Sequence, residues 1–261
     1  MALNRSQELK ELVPGLHAIF GTEYKRYDNE HTQIFDTEKS SRAFEEEVLF
    51  VGLAGAPTKE EGAAVYYDEA GESWVARYNH ETIALAFAIT EEAMEDNLYD
   101  KLAPRLSKSL ARGMAHTMQT KASNVLNNGF SASYLGGDQV ALFSTAHPLW
   151  GGGTLSNKPS VDADVSESAL EDACVAIEGW TDDRGIPCDV RPQKLIIPRQ
   201  LQFVTKRILD SDGQVYTPDN TLNAIKQLRS LPGGYAVNHR LTDADAWFIK
   251  TDADDGLIHF E

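Results

Sequence analysis

One stretch limits the folds open to this chain more than any other, and it runs from Thr90 to Phe130. Apolar residues recur at Met94, Leu98, Leu102, Leu106, Leu110, Met114 and Met118, one every four positions. That spacing belongs to one face of an α-helix and not to a strand. Thr90 suits the cap position, and Glu91 and Glu92 suit the positive end of the helix dipole. Asn127, Asn128 and Gly129 are expected to stop the helix by tolerating a left-handed backbone. About 37 residues at about 1.5 Å each make a rod of roughly 55 Å, and few compact domains of this size need one. Pro104 has no amide hydrogen, so a kink near 100–104 is expected. A four-residue repeat also drifts backwards around the helix by about 40° per step. The stripe therefore winds and meets different partners along its length. The plainer alternative is a long core helix of a globular enzyme.

The segments around the rod differ in character. Residues 1–48 read as an arm. A short amphipathic helix is predicted over Ser6 to Leu12, ended by Pro14 and Gly15. Polar sequence follows, with scattered aromatics at Phe20, Tyr24, Tyr27, Phe35 and Phe44. Such a tract adds little to a core of its own and either stays mobile or orders by lying on something else, the isolated aromatics suiting the second. Residues 49–89 read as β, with AAVYYD and SWVARYN flanking a turn at Glu69, Ala70 and Gly71. TIALAFAI is a third strand candidate. Residues 131–165 are rich in Gly, Ser and Pro and read as a long loop. Order returns in the last third. Ser166 caps a helix over Ala169 to Trp180, Lys194 to Pro198 is a buried strand, and a helix follows with Leu201, Val204 and Ile208 on one side. GGYAVNHRL, AWFIKTD and DGLIHFE are further strand candidates, and DGQVYTPDNTLNAIKQ reads as a polar connection.

Charge and chemistry narrow the function. A net charge of -16 opposes a surface that grips nucleic acid, although an acidic wall can face DNA without binding it. No run reaches the roughly 18 apolar residues of a membrane span, and the start of the chain lacks the apolar core of a signal peptide. Cys174 and Cys188 form no paired motif, which fits inert thiols made in a reducing compartment. Neither phosphate-cradling glycine motif is present, and no Cys/His spacing supports a metal site, so no cofactor is expected. Ser144 and His147 raise the alternative of a hydrolase. Ser144 lies outside a GxSxG elbow, however, and the sequence identifies no carboxylate partner. The competing reading is a tight turn in which Ser144 or Thr145 bonds the backbone and Pro148 fixes it. Asp182, Asp183 and Arg184 read as a solvated turn. An arm, a projecting hairpin, a rod and an α/β remainder without a site suit a building block that buries its odd parts against copies of itself.

The runs KASNVLNNGF, ALFSTAHPLWGGGTLSN and DDRGIPCDVRPQKLIIPRQL, with the spacing between them, resemble the major capsid proteins of tailed bacteriophages, in the group of the Mu-like major head subunit. The likeness covers about residues 85–261, and the middle run is its most specific part. It implies an α+β chain with the Hong Kong 97-type capsid fold: N-terminal arm over 1–48, extended hairpin loop over 49–89, spine helix and peripheral domain over 90–165, axial domain over 166–261. It also implies hexamers and pentamers closing an icosahedral shell around double-stranded DNA, held without sequence-specific contacts. Such a protein is not an enzyme. It is made in the bacterial host cytoplasm, ends in the virion, and has scaffolding, portal and decoration proteins as partners but no membrane. The family commonly returns a strand to the peripheral domain beyond the equivalent of Glu261. An encapsulin-like compartment of the same fold is the near alternative. Phe35, Phe44, Tyr66, Tyr67 and Trp74 are the expected intersubunit contacts, with ordinary intrachain packing as the alternative for each. Lys59 and Asn157 lie in predicted loops, which is too little to predict a covalent link.

Overall fold

The computed structural model describes residues 5–89, 99–213, 222–254 and 256–261. The chain divides into two units, Met1–His31 with Glu81–Ala122, and Thr32–His80 with Ser123–Glu261. No described helix is long and apolar enough to cross a membrane.

The first unit is built from helices. Helix α1 (Arg5–Tyr24) does not stop at Pro14 and Gly15, as its local sequence predicts, but runs ten residues further. Packing overrides the local breakers. Leu16, Phe20 and Tyr24 share one half-buried face, and the rings of Phe20 and Tyr24 stack with centroids 5.8 Å apart. Helix α2 (Tyr99–Asn127) supplies the partner surface and continues through Pro104. Ser107 Oγ donates to the Leu16 carbonyl at 3.0 Å, and the Tyr24 hydroxyl donates to the Met118 sulfur at 3.4 Å. Below α1, Gln119 holds the 3-10 turn Glu30–Gln33 by accepting from the His31 amide at 3.0 Å.

The rod of the sequence reading is present, but Thr90, Glu91, Glu92, Met94 and Leu98 lie outside the described residues. Its buried face is also displaced by one position. The buried residues are Ala103, Ser107, Ala111, Ala115, Gln119, Ser123 and Leu126, while Leu102 is exposed and Leu106, Leu110, Met114 and Met118 are half-buried. Small residues let neighbouring backbone approach closely, and the larger side chains then flank the contact. Nor is the stop a left-handed cap, because neither Asn127, Asn128 nor Gly129 has a positive φ. Asn127 ends the helix by bonding elsewhere: its Nδ2 donates to the Arg240 carbonyl at 3.1 Å and its Oδ1 accepts from the Thr242 amide at 3.0 Å. Gly129 serves close packing, since a Cβ there would sit 2.6 Å from the Phe143 ring.

The second unit contains a sheet of order β7-β6-β8. Its central strand β6 (Pro192–Pro198) runs parallel to β7 (Tyr235–Asn238) and antiparallel to β8 (Phe248–Thr251). Three helices lie with it: α3 (Glu167–Glu178), α4 (Gln202–Asp210) and α5 (Ala224–Leu228), with α5 touching both of the others. Leu170, Leu195, Ile197, Ile208, Ile225 and Leu231 form one buried cluster. Full burial of such a side chain contributes about 1.5–3 kcal/mol, so these few residues dominate the stability of the sheet. The expected cap on α3 is there, with Ser166 Oγ accepting from the Ala169 amide at 3.2 Å. The sequence reading passed over α5. Its cap is Asn223, fully buried, which accepts from the Lys226 amide and donates to the Ile208 carbonyl. A near-terminal strand β9 (Ile258–Phe260) pairs in parallel with β1 (Asp36–Glu38) from the arm.

The β region before the rod differs from its prediction. The ladder joins β2 (Phe44–Val51) to β3 (Gly71–Asn79), antiparallel, with Phe44 opposite Asn79 and Val51 opposite Gly71. AAVYYD is not a strand. It belongs to an exposed 52–70 connection, and Glu69 to Gly71 is the base of that connection instead of a tight turn. TIALAFAI forms no ladder among the described residues. A strand exists only with a partner for its amides and carbonyls, and none of the described strands takes that place.

Candidate assembly surface

The β2–β3 ribbon has two strands and an apolar surface that the chain leaves open. Phe44, Val48, Phe50, Val75 and Tyr78 are exposed along it. A two-stranded ribbon is marginal alone, and this one is held partly by charge. Arg77 Nε donates to Glu46 Oε1 at 2.7 Å, and its guanidinium lies 4.4 Å from the centre of the Phe44 ring. One face of the ribbon is anchored: Trp74 is half-buried with its ring over Gly137, and a Cβ at Gly137 would overlap that ring. Ala76 is buried beside it.

The base of the 52–70 connection is clasped by two turns from elsewhere in the unit. Arg184 Nη2 donates to the Glu69 carbonyl at 2.9 Å, and its guanidinium lies 4.8 Å from the Trp150 ring centre. The Trp150 amide donates to Asp183 Oδ1 at 2.9 Å, and the Trp150 ring lies against Gly71. The turn carrying Trp150 needs Gly152 and Gly153, at φ 88° and 95°, and joins the short strands β4 (His147–Pro148) and β5 (Thr154–Leu155). Across the neck, Asp68 accepts from the Ala54 amide at 2.7 Å and the Glu69 amide at 3.0 Å. The Ala54 amide does most to hold the Asp68 carboxyl below its ordinary range, against a smaller desolvation effect, and the Glu69 amide and Arg184 charge assist. Asp182, Asp183 and Arg184 are therefore more than a solvated turn. Sequence could show the turn but not the carbonyl that Arg184 reaches.

Beyond the clasp the connection carries Leu53, Val65, Tyr66 and Tyr67, all exposed, with Tyr67 at 89%. The expected contact residues thus separate. Phe44, Tyr66 and Tyr67 stand open, and Trp74 packs on its own chain at Gly137. Phe35 is 7% exposed and tilts against the His259 ring at 6.4 Å, so its described contact is intrachain. Val48, Phe50 and Val75 were missed. Val48 and Phe50 lie in the apolar run Val48–Val51 and Val75 lies between Trp74 and Ala76, so no alternation marks them in the sequence and only the ladder shows which face stays uncovered. Lys59 is exposed in the connection, while the Asn157 side chain is taken up by the Ser144 amide and the Leu142 carbonyl.

The Ser144–His147 stretch is a turn. Ser144 Oγ accepts from the Ala146 amide at 3.1 Å. His147 does have a carboxylate partner, contrary to the sequence reading: its Nδ1 lies 2.5 Å from Asp138 Oδ2. No Ser144–His147 bond forms among the described residues, and His147 Nε2 is buried without a partner. The pair pins the loop 138–147 and presents no nucleophile.

A family model described as phage capsid protein matches residues 75–260. The chain belongs to the phage capsid protein family. Its function is that of a major capsid protein, and its place is the virion. The fold agrees with this. The subunit in the procapsid of bacteriophage JBD30 is similar at a TM-score of 0.56 and 14% identity, over 88% of this chain and 98% of that one. The JBD30 capsid decorated with minor capsid protein trimers gives 0.59 and 15%, over 81% and 90%. Another JBD30 capsid structure gives 0.55 and 12%, over 82% and 88%. No curated protein matches the sequence.

Proposed function

We propose that this capsid protein closes an icosahedral shell from hexamers and pentamers of itself, in the manner of the Hong Kong 97-type fold, and that the shell holds double-stranded DNA. The observation that carries the reading is the uncovered apolar surface of the β2–β3 ribbon and its connection. Phe50, Val65, Tyr66 and Tyr67 are covered by no core among the described residues, and apolar surface of this kind marks a contact site. In this reading the ribbon and connection are the extended loop, α2 is the spine helix, the 131–165 loop joins it in the peripheral domain, and the β6 sheet with its helices is the axial domain. Phe44, Tyr66 and Tyr67 are buried by neighbouring copies. The acidic chain repels phosphate and so encloses DNA without adhering to it. Scaffolding, portal and decoration proteins complete the particle, and the chain acts without a cofactor or a catalytic step. Electron microscopy of the purified protein, with light scattering, tests this. Rings or closed particles are expected. A monomer at high protein concentration and low salt would overturn it, and particles filled with a co-purifying enzyme instead of nuclease-protected DNA would favour the compartment alternative.

A further inference from the structure

The three helices beside the β6 sheet differ sharply in charge. Helix α3 holds Glu167, Glu171, Asp172 and Glu178 and no cation. Its exposed stripe is Asp172, Val175, Ala176 and Glu178, with Val175 at 72% exposure. Helices α4 and α5 hold Lys206, Arg207, Lys226 and, at the α5 cap, Arg229, an unusual concentration in so acidic a chain. Between these two helices lies an open cavity of about 510 Å³ lined by Lys206, Asp210, Lys226, Arg229 and Tyr235. Phe203 on α4 and Leu228 on α5 stand 76% and 77% exposed. Asp210 pairs with Lys206, and Asp212 pairs with Lys226. Arg207 and Arg229 form no salt bridge among the described residues. Helix α5 touches both α3 and α4.

We infer that these flanks are the two halves of one head-to-tail contact: the acidic α3 stripe of one copy docks on the basic α4–α5 flank of the next. Each flank pairs an exposed apolar residue with a surplus of one charge: α3 carries acids only, and on the α4–α5 flank two of the four cations are matched by Asp210 and Asp212, leaving Arg207 and Arg229 in excess. A surface that fits a different surface on an identical copy makes a heterologous contact, and a heterologous contact closes into rings when its rotation permits. Charge complementarity also fixes the register and rejects the like-with-like pairings, acidic on acidic or basic on basic. The partner is thus a second copy of this chain. The inference rests on the ring-forming reading above and adds which faces meet.

Charge reversal tests it. One variant carries Asp172→Arg with Glu178→Arg, a second carries Arg207→Glu with Arg229→Glu, and a third carries all four. Particle yield is read by light scattering and microscopy, with circular dichroism confirming that each variant folds. Each two-site variant should lose about tenfold or more in yield, because like charges then face each other. The four-site variant, with complementarity restored in the opposite sense, should recover most of it. A mixture of the two two-site variants should regain even-membered rings by alternating the two, since one presents positive charge on both flanks and the other negative, while five-membered rings cannot alternate and closed particles should stay scarce. If wild-type protein forms particles and folded two-site variants do so equally well, the inference is wrong while the shell reading stands. If wild-type protein forms none, the shell reading itself fails. If the basic-flank variant assembles normally but holds less DNA, that flank faces phosphate and the inference is overturned.

Discussion

Two β regions of the same unit put their apolar residues to opposite use. Strand β6 lies between two partners and beneath helices, with Leu195 and Ile197 fully buried. The β2–β3 ribbon has one ladder, no third strand among the described residues, and Phe50 at 67% exposure. Both are rich in large apolar side chains, so composition does not separate them. Topology does. The central strand finds its burial inside the chain, and the ribbon's large apolar side chains stay exposed among the described residues. Stability and assembly should therefore respond to different residues.

The largest effect belongs to the closed region. Leu195→Ala leaves a cavity under β6 and should cost about 2–5 kcal/mol, read by chemical denaturation; a loss under 1 kcal/mol would mean that the sheet is not the stabilising core. Next is the seam where the ribbon meets the rest of its unit. Gly137→Ala forces a methyl group into the Trp74 ring and should cost about 1–3 kcal/mol through overpacking, with a change in Trp fluorescence. An unchanged spectrum would detach the ribbon from this anchor.

The open region should behave in reverse. Phe50→Ala and Tyr67→Ala should each shift stability by no more than about 0.5 kcal/mol, yet lower particle yield. A large drop in stability would place these residues in a core and erase the contrast. The smallest effect is at the neck. The Asp68 carboxyl is depressed in the folded chain, so its hold on the loop is complete above its ordinary titration range and is lost as pH falls through the lower folded value. Exchange of the Ala54 amide, corrected for its intrinsic pH dependence, should lose protection only there. Loss of protection near neutral pH would show that the carboxylate is not what holds that amide.

What sequence revealed follows the range of the interactions involved. Helix α3 and its Ser166 cap, strand β6 and the strands β7 and β8 were legible because each is written in a few consecutive residues. The face of α2 was not. Its large residues form the conspicuous stripe, while the buried one is made of Ala103, Ser107, Ala111 and Ala115, whose smallness counts only once a neighbouring element covers them. The same holds for α1, carried through Pro14 by packing at Leu16 and Tyr24. At the candidate surface, Tyr66 and Tyr67 were recognisable as aromatics outside any core pattern. Trp150 and Arg184 were not, since the distance from Arg184 to Glu69 exists only in the fold.

The parallel pairing of Asp36–Glu38 with Ile258–Phe260 has a consequence for synthesis. More than two hundred residues separate the two strands, which at about 5–20 residues per second takes the ribosome on the order of ten to forty seconds. Until then the earlier strand waits with an unoccupied edge. A growing chain therefore cannot close this ladder before Ile258–Phe260 has been made, and synthesis of that segment sets the earliest moment at which the pairing can form.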